Sequence, residues 1–208
     1  MAQKPFRRID GTTSKRYGPG EEAQATDFKP GDFILTHVDT KISKLIYTGQ
    51  KLRFHGADEK YTWWSHAALV VSEEGDLIEA VGAGVRETNI SRYKPTEYHL
   101  VRLGPVATGN DREEVVKFAK SCVGLPYGRL TVMSIAISLL TGCKFTFGFD
   151  GQSICSGLVA RALERTSAIF NRTPSHILPA DLAKYFDVEP PKAGADKGQI
   201  PRLQPKKK

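Results

Sequence analysis

The feature that most restricts what this chain can fold into is a pair of apolar runs joined by a tight turn. His66-Ala67-Ala68-Leu69-Val70-Val71 reads as a strand without a polar face, Glu74-Gly75-Asp76 as the turn, and Leu77 to Val81 as the returning strand. A strand that is apolar on both faces needs cover on both, so the hairpin is expected to be buried. Glu79 is the exception on its strand, and a carboxylate is costly to bury without a partner.

Strand periodicity continues around this hairpin. Lys29-Pro30-Gly31-Asp32 reads as a turn and Phe33-Ile34-Leu35 as a short buried strand, while His99 to Leu103 alternates as another. Gly82 and Gly84 allow a bend before Val85. Ile42, Leu45, Ile46 and Gly49 fall at helical spacing and predict an amphipathic helix over 40–51. Beyond residue 105 the period becomes helical. Asn110, with Glu113 three residues on, is expected to cap a helix whose inner face carries Val115, Phe118, Ala119 and Cys122, ending at Gly124. Residues 130–141 read as a strongly buried helix. Ser153 is expected to cap a further helix, with Ile154, Leu158, Val159, Ala162 and Leu163 inward. The expected class is α+β, a small antiparallel sheet packed with helices.

The chain of 208 residues suits one domain, placed at 27–190, with an N-terminal arm over 1–26 and a Pro/Lys-rich tail over 191–208. The net charge of +7 is concentrated at the ends: residues 1–20 carry +4 and residues 192–208 carry +5, leaving the body at −2. No stripe of Lys and Arg interleaved with aromatics runs through the body, so specific nucleic-acid binding is not expected. The first twenty residues contain no apolar signal-peptide core. Synthesis in the cytoplasm is expected, with non-classical export or delivery by a phage particle as routes outward. The longest apolar stretch, Leu130 to Leu140, is shorter than the roughly 20 residues a bilayer requires. Three widely spaced cysteines, Cys122, Cys143 and Cys155, predict neither a disulfide framework nor a metal site, and no cofactor is expected. They direct attention to a lone reactive thiol.

Cys155, in Ser153-Ile154-Cys155-Ser156-Gly157-Leu158-Val159, falls at a predicted helix N-terminus. Unpaired N–H groups and the helix dipole stabilise a thiolate there, and the same groups bind an oxyanion. His66, at the head of the buried strand, is the candidate base, and Glu79 on the returning strand the candidate group that orients it. Cys122 and Cys143 read as core or loop residues. His37, His55, His99 and His176 lack a comparable context.

Gly124-Leu125-Pro126-Tyr127-Gly128 and Cys155-Ser156-Gly157-Leu158-Val159 resemble the glycine-x-proline-tyrosine and cysteine-serine-glycine-leucine motifs of NlpC/P60 cell-wall peptidases. Ser65 to Val71, followed by Ile78-Glu79-Ala80, resembles that family's histidine hairpin. The hairpin here precedes the cysteine, an order similar to the circularly permuted YiiX-like branch and the lecithin:retinol-acyltransferase-like proteins. Lys29 to Asp32 and Leu178-Pro179-Ala180-Asp181-Leu182 also resemble the YiiX-like pattern. The resemblance implies a permuted papain-like fold, with Cys155 as nucleophile, His66 as base and Glu79 as the third member. Tyr127 matches the family tyrosine and is implied to line the substrate site. Ile154 stands where ordinary members carry aspartate, which fits the permuted branch.

The expected activity is a thiol hydrolase, an amidase or peptidase acting through an acyl-enzyme. Peptide amides, including those of peptidoglycan, are the first substrate class and lipid acyl groups the second, by hydrolysis or acyl transfer. Peripheral membrane contact and a monomeric state go with this reading. The alternative from a different class is a non-catalytic module that holds an anionic polymer through its basic tails. Trp63 and Trp64 leave two readings open, packing of the hairpin or a wall of the cleft, with Trp64 the candidate for substrate contact.

Overall fold

A computed structural model describes residues 11–105, 107–125, 155–166, 168, 170 and 173–191. The expected helix over 130–141, together with Cys143, Tyr127, Ser153 and Ile154, lies outside these residues. The described fold is α+β. Six strands, β1 (Thr13–Tyr17), β2 (Phe33–Thr36), β3 (His66–Val70), β4 (Asp76–Val81), β5 (Gly84–Asn89) and β6 (Tyr98–Arg102), form one antiparallel sheet in the order β1-β6-β2-β3-β4-β5. Four α-helices, α1 (Lys41–Lys51), α2 (Gly109–Ser121), α3 (Cys155–Leu163) and α4 (Pro179–Phe186), accompany it among the described residues.

The central strands are largely apolar because both faces of the sheet are covered. Phe33, Leu35, Ala67, Leu69, Ile78, Ala80 and Val101 face a large core completed by Val115 and Ala119 of α2, Leu158 and Val159 of α3, and Leu182 and Phe186 of α4. Ile34, Ala68, Val70, Leu77 and Leu100 alternate with them and face a smaller core. Tyr17, Ala23, Phe28, Ile90 and Tyr93 close that second face from the N-terminal segment and the turn after β5.

Residues 13–17 therefore do not belong to a loose arm. They pair with β6 from Thr13↔Arg102 to Tyr17↔Tyr98, although only Tyr17 of the strand is buried. A polar, exposed edge strand carries almost no apolar periodicity, which is why the sequence hides it. The bend expected before Val85 is the start of a full strand, β5, in register with β4 from Val81↔Gly84 to Asp76↔Asn89. Gly84 has φ +120°, and a Cβ there would lie 2.9 Å from the Leu125 carbonyl oxygen. Val85 bonds with Gly124 and Leu125 through its N–H and C=O, both at 2.8 Å, so the segment after α2 docks on this end of β5. The cap of α2 is Thr108, two residues before the expected Asn110. Asp111 reaches back 2.9 Å to the Thr108 N–H, while the Asp111 N–H donates to the Thr108 hydroxyl at 3.2 Å.

Two buried polar side chains join elements distant in sequence. Asp32, in the Lys29 to Asp32 turn, accepts from the Lys29 N–H, the Leu103 N–H and the Arg112 guanidinium, each at 2.9 Å. That ties β2 to the end of β6 and to α2. Gln50 of α1 is fully buried; its amide donates to the carbonyls of Thr62 (3.1 Å) and Trp64 (2.9 Å), and its oxygen accepts from the Ala180 N–H (2.9 Å). It fixes the segment that enters β3 against both α1 and α4. Gln50→Leu would leave three buried backbone groups unpaired, and should lower unfolding free energy by roughly 2–4 kcal/mol. Urea unfolding monitored by circular dichroism, with an unchanged m-value, checks this.

Candidate active site

His66 is the first residue of β3, and its position follows from the hydrogen bonds before it. Ser65 bonds Val38 through its hydroxyl, and its N–H donates to the Thr36 carbonyl, while Gln50 holds the Trp64 carbonyl. Pairing of β3 with β4 is confined to Leu69↔Ile78 and Val70↔Leu77. Extending that register sets Ala68 opposite Glu79, so Glu79 and His66 share a face by the two-residue period. Their side chains meet there: His66 Nε2 lies 2.7 Å from Glu79 Oε2.

Glu79 is 1% exposed and its carboxylate is saturated with donors. Oε2 also accepts from the Tyr93 hydroxyl, and Oε1 accepts from Arg86 Nε at 3.1 Å and Nη2 at 2.7 Å. Tyr93 is buried, with its ring roughly parallel to His66 at a centroid distance of 6.2 Å. Burial by itself raises the Glu79 pKa, but His66, Tyr93 and Arg86 outweigh it and hold the carboxyl down at about 2. Burial, reinforced by the negative Glu79, pushes the Tyr93 phenol well up, so Tyr93 stays a proton donor.

Cys155 is the first described residue of α3 and belongs to the core on the helical face of the sheet. The neighbouring Ser156 hydroxyl donates to the Ile177 carbonyl at 2.6 Å, anchoring this end of the helix. His66 and the backbone N–H groups of Ala67 and Ser156 lie near enough to the Cys155 sulfur to favour its thiolate. Ala67 would face Ala80 if the β3–β4 ladder continued, but the ladder stops at Leu69↔Ile78. Its N–H is thus released from β4 and acts on the sulfur instead. Because Glu79 occupies Nε2, Nδ1 is the ring nitrogen left for Cys155.

The two partners titrate as a unit. Burial raises a thiol pKa, yet hydrogen bonding and charge from His66, with the two N–H groups, bring Cys155 below its ordinary value. Burial lowers an imidazole pKa, yet Cys155 first and Glu79 second carry His66 up to about 10. Both directions favour a thiolate–imidazolium pair, and burial shields the two groups from water, with Cys155 2% and His66 6% exposed. Cys122 shows the contrast: burial drives its thiol upward.

The structure thus brings together Cys155, His66 and Glu79, while Tyr127 lies outside the described residues. Trp64 takes the packing reading. It is fully buried, donates Nε1–H to the Val188 carbonyl at 3.0 Å and meets His99 edge-on at 4.7 Å, leaving no surface for a substrate. Trp63 stacks on His37 at 4.5 Å. His99 is buried and pushed down to about 4, chiefly by that burial. Among the described residues no group of three His, Cys, Asp or Glu side chains is placed to hold a metal ion, and no helix is long and apolar enough to cross a membrane.

Arg86 and Tyr93 were not anticipated. Arg86 had a signal, because a two-residue turn at Gly82-Ala83 puts Glu79 directly opposite it. Tyr93 had none, since it arrives through the turn after β5. No protein-family model matches the chain, and no curated protein sequence matches it.

The depressed Glu79 pKa has a definite sign in stability. A carboxyl lowered from 4.5 to about 2 on folding contributes stability above pH 4.5 and loses it as pH falls through about 2. The melting-temperature gap between wild type and Glu79→Gln, which cannot titrate, should be widest above pH 4.5 and close towards pH 2. Tyr93→Phe removes a buried hydrogen bond to a charged acceptor and should cost about 2 kcal/mol by urea unfolding at neutral pH.

Proposed function

We propose that this chain is a cysteine hydrolase of circularly permuted papain-like type, cleaving an amide or ester through an acyl-enzyme on Cys155. The observation that carries the reading is the buried grouping of Cys155 on α3 with His66, whose Nε2 lies 2.7 Å from the Glu79 carboxylate. The chain order, a strand-borne histidine ahead of a helix-borne cysteine, supports the permuted arrangement.

In this mechanism the thiolate attacks the substrate carbonyl carbon, and the oxyanion takes a hydrogen bond from the Cys155 backbone N–H, one of the groups that the helix start expected from the sequence leaves unpaired. His66, already protonated, gives its Nδ1 proton to the departing amine or alcohol as the carbon–leaving-group bond breaks. Neutral His66 then takes a proton from water, whose oxygen attacks the thioester. Collapse of that intermediate releases the acid and restores the thiolate–imidazolium pair. Glu79 keeps Nε2–H in place through the cycle. Amides of wall peptides are the first substrate class, from the motif resemblance, and acyl esters the second.

The test is turnover on a panel of wall-peptide amides and acyl esters, with intact-protein mass spectrometry of quenched reactions. Wild type should accumulate one acyl group on Cys155. Cys155→Ala should lose both adduct and turnover, and His66→Ala should lower kcat/KM by about 10²–10⁴-fold. Full turnover by folded Cys155→Ala on a substrate that wild type cleaves would sink the proposal.

A further inference from the structure

The charges around the thiol do not balance without a residue outside the triad. Thiolate Cys155, imidazolium His66 and carboxylate Glu79 sum to one negative charge, in a region where none of the three is more than 6% exposed. A net buried charge is costly unless a counter-charge and hydrogen bonds compensate it. Arg86 stands directly opposite Glu79 on β5 and places both Nε and Nη2 on Oε1, which brings the group to neutrality. Its side chain is 26% exposed, so its charge costs less to hold there than the carboxylate's.

The division of labour on the carboxylate is specific. Oε1 belongs to Arg86, while Oε2 is shared by His66 and the neutral Tyr93 hydroxyl. The groups facing the pair are therefore Cys155 from α3, His66 from β3, Glu79 from β4, Arg86 from β5 and Tyr93 from the turn after it, with Arg92 acting on Tyr93 by charge alone. Resting on the thiol-hydrolase reading, we propose that Arg86 is a positioning residue that acts through Glu79 to set the pH window of the reactive Cys155–His66 ion pair.

The sign follows from the charge removed. Without the Arg86 cation the site is more negative, so the thiolate forms at higher pH and the imidazolium survives to higher pH. Both limbs of the window move up. Without the Glu79 anion the site is more positive, and both limbs move down. Loss of packing alone would weaken reactivity in both variants without sliding the window in opposite directions.

The experiment is the pH dependence of Cys155 carbamidomethylation by iodoacetamide in the full chain, read at the Cys155 peptide by mass spectrometry and needing no substrate. The window for Arg86→Gln should move up by about half to one pH unit relative to wild type, and that for Glu79→Gln down by a similar amount. The double variant should return towards the wild-type position. Arg86→Lys keeps the charge and should hold the wild-type window, which keeps the test decisive should Arg86→Gln fold poorly. Variants whose windows stay fixed, or move the same way, overturn the Arg86 assignment. A wild-type window with the predicted slides, but no turnover on any substrate, removes the hydrolase reading and leaves the charge coupling established. No enhanced wild-type reactivity at Cys155 overturns both.

Discussion

The site depends on a carboxylate kept ionised where water cannot reach it. Glu79 is 1% exposed, and an anion so placed persists only if its lone pairs are filled and its charge is met. His66, Arg86 and Tyr93 do both. Each comes from a different segment, so the carboxylate also acts as a junction. It aligns the hairpin β4–β5, the head of β3 and the turn carrying Tyr93. The proposed thiol chemistry follows from that arrangement. An imidazole whose Nε2 is fixed by an anion presents Nδ1 to sulfur and favours the doubly protonated state.

The second requirement is an interruption of the sheet. Glu79 and its donors gather towards the face closed by Tyr93 and the N-terminal segment, while α3 packs on the other. A continuous ladder would separate Cys155 from His66. Pairing between β3 and β4 stops at Leu69↔Ile78, and that release lets the Ala67 N–H turn to sulfur. The end of β3 that parts from β4 stays paired with β2 and is held besides by Gln50, Ser65 and the bond from Trp64 to Val188, so the gap does not loosen the strand. Buried polar groups serve here as fasteners, each satisfied by backbone from another element.

Much of the sheet was legible in the sequence because its central strands are short apolar runs bounded by turn residues. β2, β3, β4 and β6 fall where the pattern put them, as does α1, capped reciprocally by Thr40 and Ser43. β1 and β5 were not legible. One is a polar edge strand, and the other was masked as a bend because Gly82 and Gly84 flank its start. Trp64 beside His66 invited a cleft reading that its burial and its bond to Val188 remove.

By itself, the sequence determined which side chains have chemistry to offer. A cysteine at an expected helix start, a histidine at a strand head and a glutamate on an apolar strand are local matters of type and spacing. Thirteen residues across one hairpin were enough to relate His66 to Glu79. The tertiary structure alone decided that α3 delivers Cys155 to His66 from nearly ninety residues away, that Tyr93 reaches the carboxylate, and that β3 parts from β4 to let them meet. The reason is physical. Local pattern fixes periodicity and which face a residue takes, whereas contacts between segments are set by packing, register and the need to satisfy every buried polar group, which no single stretch of sequence contains.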